Sequence, residues 1–315
     1  MNSIRSALEN MMKDQKWENR YDRLKQGVYQ YSRVQEFLRK NEEIPEKELE
    51  NNIGKLYEFK KEWENCDACP GLDHCPNLLT GYQPALFTER GKLEIRYNSC
   101  QLKQREDERK RLQKLIKSLY VPRDILDATF EQVEQDHDTR LTASNAALAF
   151  ALNAQPGENG RGLYLYGKFG VGKTYLMGAV MNELAQRHIA SMIVYVPDFF
   201  REMKQSVSDG TVQEKLDEVK RAPVLILDDI GAETMSGWVR DDILGVILHY
   251  RMMEKLPTLF TSNYDYEELE EHLAYSQKGG IEQLKAKRIM ERIKPLTTPV
   301  LLKERIEENI ADIPH

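Results

Sequence analysis

Cysteine is scarce in this chain and confined to one stretch. Four occur in 315 residues, Cys66, Cys69, Cys75 and Cys100, and none follows. That excludes a disulfide-built scaffold for the last two thirds of the chain. Long apolar runs are also missing. No uninterrupted stretch approaches the roughly 20 residues that span a bilayer. The opening MNSIRSALENMMKDQ has no apolar signal-peptide core. The sequence therefore predicts a cytoplasmic protein with no membrane partner. Positive charge is not in excess: 45 Lys and Arg stand against 51 Asp and Glu, a net charge of -6 and a pI near 5.7. This balance argues against a simple strong DNA binder, whose affinity would rest on many phosphate contacts. A local basic face is still compatible with it. No internal repeat or low-complexity tract is present.

What the chain does carry is a set of phosphate-binding signals. Gly167-Lys168-Phe169-Gly170-Val171-Gly172-Lys173-Thr174 spells GxxxxGKT. It lies between an apolar run, residues 162–166, and a helix-like run starting at Tyr175. Strand, glycine loop and helix form the context a P-loop needs. The glycines let successive backbone N–H groups turn towards phosphate oxygens, and the helix presents its positive end. Lys173 is expected to reach the β- and γ-phosphates of ATP or ADP, and Thr174 to hold Mg²⁺. Lys168, Phe169, Val171 and Tyr175 complete the nucleotide-binding set.

Residues 224–229, VLILDD, read as an apolar strand ending in two acids. Asp228 is expected to hold Mg²⁺ through water and Asp229 to polarise the attacking water. Glu is commoner at the second position. The shorter Asp229 would slow hydrolysis or shift that role to Glu233. Residues 259–263, LFTSN, read as a strand whose polar end reaches the ligand crevice, where Asn263 can orient water. Residues 281–294 read as a helix with Arg288 and Arg292 one turn apart on one face. Arg292 is the first candidate, and Arg288 the second, for an arginine finger aimed at a neighbouring subunit. The plainer reading is a surface helix with Glu–Arg pairs. Arg305 is a candidate sensor in cis.

Cys66-Asp67-Ala68-Cys69 is a CxxC knuckle with Cys75 close behind. In a cytosolic chain such clustering predicts zinc rather than disulfides. Four thiolates, Cys66, Cys69, Cys75 and Cys100, satisfy tetrahedral Zn²⁺ and make the site structural. His74 is the alternative to Cys75.

Strands are expected at 162–166, 192–196, 223–228, 257–262 and 298–302. Helices between them predict a parallel sheet covered on both faces. The expected organisation is a helical N-terminal domain, 1–105, with a zinc-binding segment at 66–100. A charged helical linker, 106–120, and a nucleotide-binding α/β domain, 121–315, follow.

The order GKFGVGKT, LILDDIGAE, FTSN, KAKRIMERIK resembles the AAA+ ATPases of the bacterial replicative helicase loaders. LYGKFGVGKTYL, LDDIGAE, RIMERI and VPRDILDATFEQV are similar to the DnaI form, and the resemblance covers nearly the whole chain. It implies a P-loop AAA+ domain preceded by a small helical zinc-binding domain. The implied cofactors are ATP or ADP, Mg²⁺ and Zn²⁺. The implied partners are a DnaB-type hexameric helicase, bound through the N-terminal domain, single-stranded DNA, bound weakly and with ATP, other primosome proteins, and further copies of the chain. Gly167, Gly170, Gly172, Lys173 and Thr174 match the nucleotide loop of that family, Asp228 and Asp229 its Walker B acids, Asn263 its sensor 1 and Arg292 its finger. The resemblance also implies a zinc-ligating His after the third Cys. This chain has Gly81-Tyr82-Gln83-Pro84 there, and Gln is a poor zinc ligand, which favours the four-Cys set. Competing readings are a transposition-helper ATPase, a non-hydrolysing nucleotide-dependent adaptor, and a small-molecule kinase. The last would need an Arg-rich lid that the sequence lacks.

Overall fold

The computed structural model describes residues 15–133, 138–275 and 280–303. Arg305 lies outside the described residues. The chain divides into two compact units, 1–109 and 110–315.

In the first unit, apolar stripes at helical spacing give helices α1 (Gln15–Tyr29), α2 (Ser32–Lys40), α3 (Glu46–Asn51) and α4 (Ile53–Asp67). Val28, Val34, Leu56 and Phe59 meet in a small core. That core is not closed by helices alone. Strands β1 (Tyr82–Glu89) and β2 (Lys92–Ser99) pair antiparallel, with Glu89 opposite Lys92. Arg90 and Gly91 turn the hairpin at φ of 52° and 75°. Two left-handed residues give the turn the twist the strands need. Leu93, wholly buried on β2, completes the core. Half of the cysteine segment is therefore β-structure, where a helical domain was expected.

Helix α5 (Gln101–Gln113) buries no residue and contains the boundary between the units. The second unit is built on a six-stranded sheet: β3 (Ile116–Leu119), β4 (Gly162–Tyr166), β5 (Ser191–Tyr195), β6 (Val224–Asp228), β7 (Thr258–Ser262) and β8 (Thr297–Leu301). The order is β3-β5-β6-β7-β4-β8, and every neighbouring pair is parallel. The expected linker 106–120 thus overlaps β3. Its Ile116 packs against the sheet core, so the segment ends as an edge strand and not as a solvated helix.

The strand residues alternate between two cores. Met192, Val194, Leu225, Leu227 and Phe260 face α9 (Val196–Ser206), α10 (Val212–Lys220), α11 (Gly245–Met253) and α13 (Gln283–Ile293). Ile193, Ile226, Leu259, Leu163 and Leu165 face α7 (Asp138–Asn153) and α8 (Lys173–Gln186). The short helices α6 (Arg123–Leu126) and α12 (Tyr266–Ala274) and a π-helical turn, Val239–Leu244, complete the unit. Gly178 lets α8 approach the lead-in segment closely, since a Cβ there would stand 2.0 Å from the Ile125 carbonyl oxygen. The Asn182 amide then donates to the carbonyls of Leu126 and Ala128 at 2.7 and 2.8 Å.

Candidate nucleotide site

The carboxyl ends of β4, β6 and β7 converge, as ligand crevices do in parallel sheets. The glycine loop leaves β4 there. Gly167, Gly170 and Gly172 adopt φ of 151°, 80° and 94°. A Cβ on Gly167 would stand 2.0 Å from the Leu302 carbonyl oxygen, so only glycine fits. Gly172 caps α8 in the left-handed conformation. Val171 is buried, whereas Phe169 at the tip is 86% exposed. The Tyr175 hydroxyl meets Gln132 Oε1 at 3.1 Å.

Lys173 is 7% exposed. Its Nζ donates to the carbonyls of Gly167 and Lys168 and to Asn263 Oδ1, each at 2.8 Å. Burial pushes its pKa down, and the charges of Asp229 and Asp228 oppose that shift. Thr174 Oγ1 donates to Asp228 Oδ1 at 2.9 Å. Thr261 Oγ1 donates to the same carboxylate at 2.6 Å and accepts from the Asp229 N–H at 2.7 Å. Asp229 stands at φ 59°, an uncommon conformation for a residue with a side chain. Asn263 Nδ2 donates to Asp229 Oδ1 at 3.2 Å. Asn263 therefore bridges Lys173 and Asp229.

Burial raises the pKa of both acids. Hydrogen bonds from Thr261 and Thr174 counter the shift at Asp228, and the Lys173 charge counters it at Asp229. The Thr174 hydroxyl and the Asp228 carboxylate are hard oxygen donors side by side. That is the chemistry Mg²⁺ takes when it keeps several waters and substrate phosphates. The residues therefore fit the metal.

Glu233 stands apart. Its carbonyl oxygen lies 3.1 Å from His272 Nε2. Its Oε1 is buried without a partner, and among the described residues no hydrogen bond links it to Lys173, Asp228 or Asn263. Arg292, the first candidate for a finger, has a hydrogen-bond partner within its own chain. Its Nη1 donates to the Gly245 carbonyl at 2.6 Å, and the side chain is half-buried in its own subunit. Arg288, one turn earlier, is exposed.

The cysteine segment also departs from expectation. The four cysteines are free thiols. Among the described residues no group of three or more His, Cys, Asp or Glu side chains is gathered to hold a metal. The expected four-sulfur grouping is not seen among the described residues, where three of the sulfurs each take an N–H donor of their own. The Asn77 amide donates to Cys66 Sγ at 3.2 Å, and the N–H groups of Gly81 and Lys103 donate to Cys75 and Cys100 at 3.5 Å. Burial raises the pKa of the Cys66 thiol, and the neighbouring Cys75 and Cys69 add to the shift.

Two family models match the chain. The first, described as primosomal protein DnaI N-terminus, matches residues 1–97, and the second, IstB-like ATP binding protein, matches residues 97–278. The replicative helicase loader DnaI of Bacillus subtilis (strain 168) is 44% identical over 303 residues, covering 96% of this chain and 97% of that one. The chain belongs to the DnaI family of replicative helicase loaders. Among solved structures, a DnaI crystal structure is 50% identical with a TM-score of 0.55, covering 62% of this chain and 98% of that chain. A putative primosome component from Streptococcus pyogenes serotype M3 is 35% identical with a TM-score of 0.52, covering 62% and 97%. The parallel-sheet unit of this DnaI-family chain is accordingly an ATP-binding AAA+ domain.

Sequence reading missed Thr261. It lies in the quoted LFTSN strand, but period-2 alternation assigns it only to a face of the sheet. Nothing in that pattern signals that its hydroxyl bridges Asp228 and the Asp229 amide.

Proposed function

We propose that this chain is a slow ATPase of the cytoplasm that loads a hexameric DnaB-type helicase onto single-stranded DNA. The reading is carried by the contact between Thr174 and Asp228, 2.9 Å, beside the Lys173–Asn263–Asp229 chain. Lys173 would exchange loop carbonyls for β- and γ-phosphate oxygens. Thr174 and Asp228 would hold Mg²⁺, which supplies charge neutralisation at the phosphates. Asp229 would accept a hydrogen bond from the attacking water. Asn263, joined to both Asp229 and Lys173, would report the state of the γ-phosphate to the sheet. Arg288, being exposed, is the better candidate than Arg292 for a finger offered to a second copy. Residues 1–105 would bind the helicase, joined to the ATPase domain by residues 106–115. Loading follows if ATP changes the affinity for the helicase between two states.

Zn²⁺ in the cysteine segment belongs to the same reading. It is supported by Cys75 and Cys100 meeting at Gly81, whose N–H donates to Cys75 Sγ and whose carbonyl accepts the Cys100 N–H at 2.7 Å, and by Cys66 lying near enough to Cys75 and Cys69 to feel their charge. About one zinc per purified chain would support it, and a metal-free chain of native stability would remove it.

The deciding experiment is native mass spectrometry of the full chain with the replicative helicase, with and without ATP, alongside ATP turnover on single-stranded DNA. A defined complex and turnover that Lys173→Ala abolishes support the loader. A complex without turnover in any condition would instead favour a nucleotide-dependent adaptor.

A further inference from the structure

Beside the phosphate loop lies a cavity of about 230 Å³. Tyr175 and Leu176, in the first turn of α8, form one wall. Val133 and Leu302 contribute apolar surface, and Gln132 and Arg140 are its long polar side chains. The first amides of a P-loop helix hold the phosphates, so the nucleoside must leave along that wall. Arg140 rises from α7 towards the loop. Its Nη2 lies 3.5 Å from the point where a Cβ on Gly172 would stand. Its Nε is buried and has no hydrogen-bond partner among the described residues.

A guanidinium has five donors and no acceptor. Among the described residues no carboxylate lines this cavity, and Gln132 Oε1 already takes the Tyr175 hydroxyl. A purine ring nitrogen would satisfy a donor and leave the charge uncompensated. A phosphate does both, and its oxygens match the planar fork. We propose that Arg140 is a cation supplied in cis to the bound nucleotide, pairing with its phosphate at the nucleoside end. The inference rests on the ATP reading of the loop. It assigns the cis cation to a residue that no glycine-loop or Walker pattern contains.

The test is titration of the full-length protein with a fluorescent ADP analogue, for wild type, Arg140→Ala, Arg140→Lys and Lys173→Ala. ADP and GDP serve as competitors. The expected result is roughly ten-fold or greater weakening in Arg140→Ala, with partial recovery in Arg140→Lys. The preference for ADP over GDP stays unchanged, and the dependence on salt becomes shallower. Thermal melting without nucleotide should match wild type. If Arg140→Ala fails to fold, Arg140→Lys and Arg140→Gln carry the comparison. Normal binding by Lys173→Ala would mean that the loop reading itself fails. Loss in Lys173→Ala with wild-type affinity in Arg140→Ala overturns this inference alone. A changed ADP-to-GDP ratio also overturns it, because the guanidinium would then be reading the base.

Discussion

The Asp228 carboxyl is buried at a cost to the fold. Burial holds its carboxyl above the ordinary carboxylate range, although Thr261 and Thr174 donate to it. A carboxyl raised in the folded state contributes stability that is complete below its unfolded value of about 3.9. That contribution is lost as pH rises through the folded value. At neutral pH the ionised group therefore weakens the fold. Asp228→Asn should raise the melting temperature by about 2–4 °C, equivalent to roughly 1 kcal/mol, while ATP turnover collapses. A melting temperature below wild type would refute this account. Asn263→Ala removes the bridge between Lys173 and Asp229. It should lower turnover by about 10²-fold with a smaller change in nucleotide affinity. Equal losses in both would mean that Asn263 serves only to place Lys173. Lys173, Thr174, Asp228 and Asn263 were legible in sequence because each ends or begins an element in a fixed order. Thr261 and Arg140 were not, because their placement depends on register and on a helix packed across the sheet.

At the scale of elements, the strands of the ATP-binding unit were legible because a parallel sheet buried on both faces writes each strand as a short apolar run. Expected and observed strands agree within one residue, as with 162–166 against Gly162–Tyr166. The hairpin of β1 and β2 was not legible. Its turn, Arg90-Gly91, lacks the Asn-Gly or Asp-Gly signature. Edge strand β3 was hidden by the charged helix before it. The Arg288–Arg292 pair shows the limit of helical spacing: residues four apart share a face, but the neighbour across α13 decides which one reaches solvent. Arg288→Ala should abolish ATP turnover in the assembled helicase complex while leaving the melting temperature unchanged. Arg292→Ala should lower the melting temperature by about 2–4 °C. The reverse pattern would restore Arg292 as the finger. Gly178→Ala forces a Cβ onto the Ile125 carbonyl. It should destabilise the ATP-binding unit by roughly 1–3 kcal/mol, read as a lower denaturant midpoint; wild-type stability would mean that the lead-in segment yields.

At the scale of the whole molecule, the two compact units suggest separable duties. Lys173→Ala in the full chain should still bind the helicase through residues 1–105 and fail to load it, as read by native mass spectrometry and by helicase transfer to single-stranded DNA. Loss of binding would place the helicase contact under nucleotide control. One feature of the sheet also bears on how the protein is made. β8 is the last of the described strands, yet it pairs with β4, and the Leu302 N–H closes onto the Tyr166 carbonyl at 2.8 Å, at the root of the phosphate loop. More than a hundred residues separate that loop from the strand that braces it. At about 5–20 residues per second, the ribosome delivers the brace on the order of ten seconds after the loop. During that interval the first unit is already complete in sequence, so a nascent chain could find its partner before it has a finished nucleotide site.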